Sequence, residues 1–216
     1  IDFARQVLWP ELDVQATSVT EQWSTYAVAG PRSRELVQCL FPDLDLSNEG
    51  VPFMGAVEAR WQGEVARIFR LSFSGELAYE LSVPAQVGDI FVRAIAEEGR
   101  PLGLTPYGTE ALGVLRIEKG HPAGNELNGI TTATDLGMGR MMSKKKDYIG
   151  RVMADRQGLT DPARPVLVGL RPANGHDPIR AGAHLLTKGM TGIAAHDQGY
   201  VTSAAFSPTL GHPIAL

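Results

Sequence analysis

One cysteine in 216 residues, Cys39, leaves no internal disulfide to hold this chain together, so its fold must rest on packing alone and a reducing, cytoplasmic setting is expected. Flanked by apolar Val37, Leu40 and Phe41, Cys39 itself is expected to be a small buried core residue rather than a nucleophile. No apolar run approaches the roughly 18 residues needed to cross a bilayer, so no membrane partner is expected. An excess of basic charge is also missing: the formal net charge is -4, and apart from Lys144, Lys145 and Lys146 the cations are dispersed, which argues against nucleic acid. The lysine triplet is read as a solvated surface. The opening Ile1-Asp2-Phe3 has neither an initiator Met nor a signal-peptide pattern, which is expected of a segment cut from a longer polypeptide.

Chemical signatures are equally sparse. His121, His176, His184, His196 and His212 fall in different segments with no i,i+4 pair, so no metal site is expected. There is no Gly-x-Ser-x-Gly elbow, and Gly137 and Gly139 do not complete a Gly-x-Gly-x-x-Gly phosphate cradle.

What is present is a clear order of elements. Thr25–Ala29 reads as a strand, and Pro31 as the first residue of a helix carrying Leu36, Val37, Leu40 and Phe41. Asp43–Pro52 is turn-rich. Ala56–Trp61, Val65–Phe73 and Ala78–Val83 have strand composition, with Gln62-Gly63 as a hairpin turn between the first two. A helix is expected after Pro84 up to Gly99, and another after Pro106 up to Gly120. Residues 124–142 are too irregular for one element. Asp147 is expected to begin a short helix through Tyr148, Ile149 and Val152, and residues 158–164 read as a linker. Beyond it, residues 166–170, 183–187, 192–195, 200–206 and 213–216 are short β-type runs. The fold class is α+β: an antiparallel sheet with packed helices, of ferredoxin-like elements, over residues 1–157, then a small C-terminal β-barrel over residues 158–216.

In the third of the central strands, alternation puts Glu80 on the face opposite Tyr79 and Leu81, flanked by the small residues Ala78 and Ser82. From composition alone this carboxylate is either a solvent-facing strand residue or an acceptor with room beside it for a flat ligand.

Several strings resemble the aminomethyltransferase superfamily. They are Ala29-Gly30-Pro31, Pro52-Phe53-Met54, Phe73 to Leu81, Gly108 to Leu112 with Leu115 to Gly120, Lys146 to Gly150, Leu167 to Gly169, Arg180 to Gly182, and Val201-Thr202-Ser203 with Phe206 to Gly211, and they occur in the family's order. Within the superfamily, Arg116-Ile-Glu-Lys-Gly-His-Pro-Ala-Gly-Asn-Glu-Leu-Asn-Gly129 and Asp135 to Arg151 most resemble the alpha chains of heterotetrameric sarcosine oxidases. The resemblance implies an enzyme that oxidises N-methylglycine with oxygen to glycine and hydrogen peroxide. Such an enzyme passes the one-carbon unit to tetrahydrofolate as the 5,10-methylene form. It further implies FAD, FMN and NAD in other parts of the intact protein, and beta, gamma and delta subunits as partners. The alternatives are an aminomethyltransferase of the glycine cleavage system and a non-catalytic interaction module.

Carried over residue by residue, the resemblance makes Glu80 the acceptor for the pterin edge and Phe73 a stacking surface, where relatives commonly have Tyr. Tyr107 and Arg180 match positions near the ligand cleft. Arg116 either reaches the benzoyl-glutamate side or locks its helix to a neighbouring carboxylate, and Glu126 is expected to pin the Gly-rich loop. The family's catalytic Asp has no matching motif, so no catalytic residue is assigned and the isolated chain is expected to be inactive.

Overall fold

A computed structural model describes residues 9–216; Ile1-Asp2-Phe3 lie outside them. The described chain divides into two compact units, residues 9–72 with 76–106, and residues 73–75 with 107–216.

The first unit is built on strands β1 (Trp23–Ala29), β2 (Ala56–Trp61), β3 (Glu64–Phe69) and β4 (Ala78–Pro84), in the order β1-β4-β3-β2. Every neighbouring pair is antiparallel. Because β1 and β3 are both antiparallel to β4, they run parallel to each other with β4 inserted between them. The β2–β3 turn places Gln62 at φ 50° and Gly63 at φ 89°, the double positive φ whose twist matches that of the two strands it joins.

Two helices follow the same packing logic. In α1 (Ser33–Leu40), Leu36, Val37 and Leu40 form the buried stripe; in α2 (Gly88–Gly99), Phe91 and Ile95 do. They join Val28, Trp61, Ala66, Ile68, Tyr79, Leu81 and Val83 in one core. Phe91 is its centre, with the Trp61 ring edge-on at 4.8 Å and Tyr26 and Phe41 tilted against it at 6.0 and 6.2 Å. Each fully buried aliphatic or aromatic side chain here contributes about 1.5–3 kcal/mol.

Three expectations are corrected by these elements. Helix α1 begins at Ser33, two residues after Pro31, because Pro31 and Arg32 form a turn. Cys39 is exposed, since its position on α1 is rotated away from the Leu36, Val37 and Leu40 stripe. Strand β3 ends at Phe69, so Phe73 sits in an irregular connection that turns at Gly75, φ 95°.

In the second unit, α3 (Thr109–Lys119) starts after Pro106 and is stopped by Gly120 at φ 74°, which lets the His121 N–H reach back to the Arg116 carbonyl at 2.8 Å. Short helices α4 (Arg151–Ala154) and α5 (Gln157–Thr160) follow. The helix expected from Asp147 therefore begins only at Arg151, because Gly150 takes φ 90° and interrupts it; α5 occupies part of the expected linker.

The terminal strands are β5 (His184–Leu186), β6 (Asp197–Tyr200), β7 (Ala204–Ser207) and β8 (His212–Ala215), paired β5–β6 and β7–β8. The two ladders are joined by backbone bonds from Val201 to Ala183, from Thr202 to Leu216, and in both directions between Leu170 and Ala215. The expected run 200–206 is split in two, 192–195 forms part of a 3-10 turn instead of a strand, and 166–170 contributes only the Leu170 bridge. Ile117 of α3 packs with Ile214 and Leu216, and the Ser207 hydroxyl donates to Glu118 Oε1 at 2.5 Å. These contacts place α3 in one compact unit with the terminal strands, and the compact units divide at Pro106.

Candidate functional site

Strand β4 is paired along its length with β1 and over Glu80–Ser82 with β3, so the sheet holds it from both sides at Glu80. Every residue from Ala78 to Val83 except Glu80 is buried. Tyr79, Leu81 and Val83 are buried against the helices, while Ala78, Glu80 and Ser82 point to the opposite sheet face. The cross-strand partners of Glu80 are Ala27 on β1 and Phe69 on β3. Around the carboxylate stand the methyl groups of Ala27 and Ala78, the Ser82 hydroxyl and one aromatic ring.

The cations and hydroxyls of that face are already engaged with one another. Arg67 donates to Glu58 at 3.1 Å and lies over the Trp23 ring at 4.1 Å, and Ser82 and Thr25 share a hydroxyl bond of 2.8 Å. The Glu80 side chain, half-buried, has no hydrogen bond and no ion pair among the described residues. An ionised carboxylate offers about four lone-pair positions, and here all are available to an incoming donor pair.

The other four residues expected at a site belong to the second unit. Phe73, 38% exposed, meets the His121 ring edge-on at 4.8 Å. Burial, and then the charges of Lys119 and Arg116, push His121 below its ordinary value, so its imidazole is neutral at pH 7. Tyr107 is 43% exposed just before α3. Arg180 is exposed in the turn ahead of Gly182, where its carbonyl accepts the Ala183 N–H at 3.1 Å.

Arg116 is committed internally. Its Nη1 donates to Glu126 Oε2 at 2.8 Å and to the His121 carbonyl at 3.3 Å, and its Nη2 donates to Ser203 Oγ at 2.6 Å. Of the two roles open to it, the lock onto a carboxylate is the one observed. Glu126 completes the network by accepting the Ala123 N–H at 2.9 Å and the Ser203 hydroxyl at 2.5 Å. Burial pushes the Glu126 carboxyl up, but hydrogen bonds led by Ser203, with the Arg116 charge, outweigh it and hold the group below the ordinary carboxylate value.

A second pin escaped sequence reasoning. Arg164 donates to Asp135 through Nη2 at 2.6 Å and Nε at 3.1 Å, and to the Ile130 carbonyl at 2.7 Å. The Arg164 bonds, aided by Thr132 and opposed by burial, hold Asp135 at about 2. An isolated Asp and Arg 29 positions apart in irregular chain carry no periodicity that would announce the pair.

The chain matches the GCVT N-terminal domain over residues 2–146 and the glycine cleavage T-protein C-terminal barrel domain over residues 166–216. It belongs to the glycine cleavage T-protein family. Among relatives of this T-protein-family chain, sarcosine oxidase subunit alpha of Rhizobium meliloti (strain 1021) is 48% identical over 219 aligned residues, covering 100% of this chain and 22% of that protein. Sarcosine oxidase subunit alpha of Corynebacterium sp. (strain P-1) is 40% identical over 98% of this chain, again 22% of that protein. The aminomethyltransferase of Streptomyces avermitilis is 35% identical, covering 91% of this chain and 51% of that protein. The crystal structure of glycine cleavage system aminomethyltransferase T from Bartonella henselae superposes with a TM-score of 0.67 at 25% identity, over 89% of this chain and 50% of that one. This T-protein-family chain thus spans about a fifth of the length of the sarcosine oxidase subunits and half that of the aminomethyltransferases.

Proposed function

We propose that this chain is the tetrahydrofolate-binding part of a sarcosine oxidase alpha subunit, with Glu80 as the anchor for the pterin. The observation that carries the reading is the unengaged Glu80 carboxylate on a doubly paired strand, among Ala27, Ala78 and Ser82. The pterin edge presents a ring N–H beside an exocyclic amine, and a carboxylate accepts both in one planar contact. The neighbours of Glu80, namely Ala27, Ala78 and Ser82, are small, and Phe69 stands across the ladder from it.

When bound, tetrahydrofolate supplies the nitrogens that take up the one-carbon unit. The chain's own contribution is to bind and orient: Glu80 sets the pterin edge by charge-assisted bonds, while Phe73, Tyr107, Arg116 and Arg180, which lie in the second unit, are assigned to the ligand from the family resemblance alone. For Arg116 that role is indirect, through the position of α3, because its guanidinium is held by Glu126 and Ser203.

In the intact protein the reaction is oxidation of N-methylglycine by oxygen to glycine and hydrogen peroxide, with the one-carbon unit leaving as 5,10-methylenetetrahydrofolate. FAD, FMN and NAD are assigned to other regions, the beta, gamma and delta subunits to the assembly, and the single free thiol supports a cytoplasmic setting. The higher identity to sarcosine oxidase alpha subunits, 48% against 35% for the aminomethyltransferase, supports this reading over the glycine-cleavage alternative.

Calorimetric titration of the intact enzyme with tetrahydrofolate tests it. Glu80→Gln leaves one ligand donor without its acceptor, at a cost of about 1–3 kcal/mol, or roughly ten- to a hundredfold in affinity. Unchanged affinity would exclude Glu80 as the anchor.

A further inference from the structure

We infer that residues 139–156 form a docking surface for another protein chain, one that presents carboxylates around an apolar spot. The first ground is charge. This segment holds Arg140, Lys144, Lys145, Lys146, Arg151 and Arg156 against only Asp147 and Asp155, in a chain whose formal net charge is -4. A local cationic field on an acidic protein selects acidic partners and steers their approach.

The second ground is apolar exposure within the same stretch. Met141 is 71% exposed, Ile149 61%, Val152 82% and Met153 47%, while Lys144, Lys145 and Lys146 are all exposed beside them. Exposed aliphatic and methionine side chains interspersed in sequence with cations supply the apolar centre and polar rim of which interfaces are made.

The third ground is how the segment is held. The Lys145 and Lys146 N–H groups donate to Ser143 Oγ at 3.2 and 3.1 Å, Arg151 N–H to the Tyr148 carbonyl at 3.2 Å, and Ala154 N–H to the Gly150 carbonyl at 2.9 Å. Among the described residues, no hydrogen bond of 143–156 spans more than four positions. By contrast, Arg116 and Ser203 bridge 87 positions. The segment is shaped by its own turns and presents its side chains outward.

A membrane fits less well. Helix α4 has four residues, too few for an amphipathic face, and the chain's net negative charge opposes anionic lipid.

The inference rests on the multi-chain assembly proposed above, and the test separates the two. The intact enzyme, purified from its own host, is treated with a carbodiimide that joins amines to carboxylates without a spacer, and the products are mapped by mass spectrometry. The expected result couples at least one of Lys144, Lys145 and Lys146 to an Asp or Glu of a different chain. Combined Lys144→Glu, Lys145→Glu and Lys146→Glu substitution weakens association about tenfold or more at low salt, less at high salt, as expected for steering charges. Val152→Ser weakens it independently of salt. Cross-links confined to this polypeptide, assembly unaltered in both variants, or capture by phosphatidylserine vesicles in place of a protein chain would each overturn the surface. Absence of any second chain would overturn the assembly reading together with it. Tetrahydrofolate titration of the triple variant stays at the wild-type value, which keeps failure of the folate reading distinct.

Discussion

Glu126→Ala removes the one carboxylate to which Arg116, the Ala123 N–H and the Ser203 hydroxyl all donate. Glu126 is 2% exposed and the Arg116 side chain 13%, so the guanidinium would be left largely buried with only Ser203 and a carbonyl as acceptors. Truncating one member of a buried pair costs about 3–5 kcal/mol. The residual solvent access of Arg116 puts this case near the lower figure, and about 3 kcal/mol corresponds to roughly a hundredfold in a local opening equilibrium. Glu126→Gln keeps the shape and one acceptor oxygen and should cost about 1–2 kcal/mol, close to tenfold. Trp9, Trp23 and Trp61 all lie in the first unit, so tryptophan fluorescence would miss the event. Hydrogen exchange by mass spectrometry reads it directly. Peptides covering 116–127 and 201–216 should exchange faster in the order Ala, Gln, wild type, while those covering 78–99 stay unchanged. Equal protection in Glu126→Ala and wild type, or acceleration spread evenly over both units, would refute this account of the network.

Other outcomes are open to simple measurement. Asp135 titrates at about 2 in the folded chain against 3.8 ordinarily, so its contribution is complete above pH 4 and is lost as pH falls towards 2. Exchange protection of residues 130–136 should therefore decline over that window, and Asp135→Asn should lower it at pH 7 and flatten the acid dependence. At Gly88 an added Cβ would stand 2.3 Å from Ser24 Oγ and 2.7 Å from Ser24 Cβ. Gly88→Ala is expected to cost about 1–3 kcal/mol through overpacking and to lower the urea midpoint seen by tryptophan fluorescence. Cys39, exposed beside Arg34, Glu35 and Gln38, should react with a thiol reagent in the folded protein without denaturant. Labelling only after unfolding would contradict its position on α1.

Where the physics is local, the sequence was a good guide. Period-two alternation in β4 put Glu80 opposite Tyr79 and Leu81, and the register then added Ala27 and Phe69 as its neighbours. Gly63 and Gly120 sit where left-handed backbone is needed, and the turn and helix end they announce are both present. Glu126 was read correctly as the pin of the Gly-rich loop, though its partner Ser203, 77 positions away, was not foreseen. Legibility fell in the last third, where β-type composition marked strands but not their limits: residues 192–195 and 200–206 have apolar content but different fates. Strand boundaries there depend on which backbone groups find partners, as Val201 does at Ala183 and Leu170 at Ala215.

By itself the sequence determined the α+β class, the antiparallel body with its helices, and the face on which Glu80 stands, because these follow from short periodicities and from glycine and proline. Only the tertiary structure decided that Arg116 serves Glu126 and Ser203, that Asp135 is gripped by Arg164, and that α3 packs with the terminal strands. Those outcomes turn on which buried charge meets which partner across long stretches of chain, a matter of desolvation and three-dimensional proximity that residue spacing does not encode.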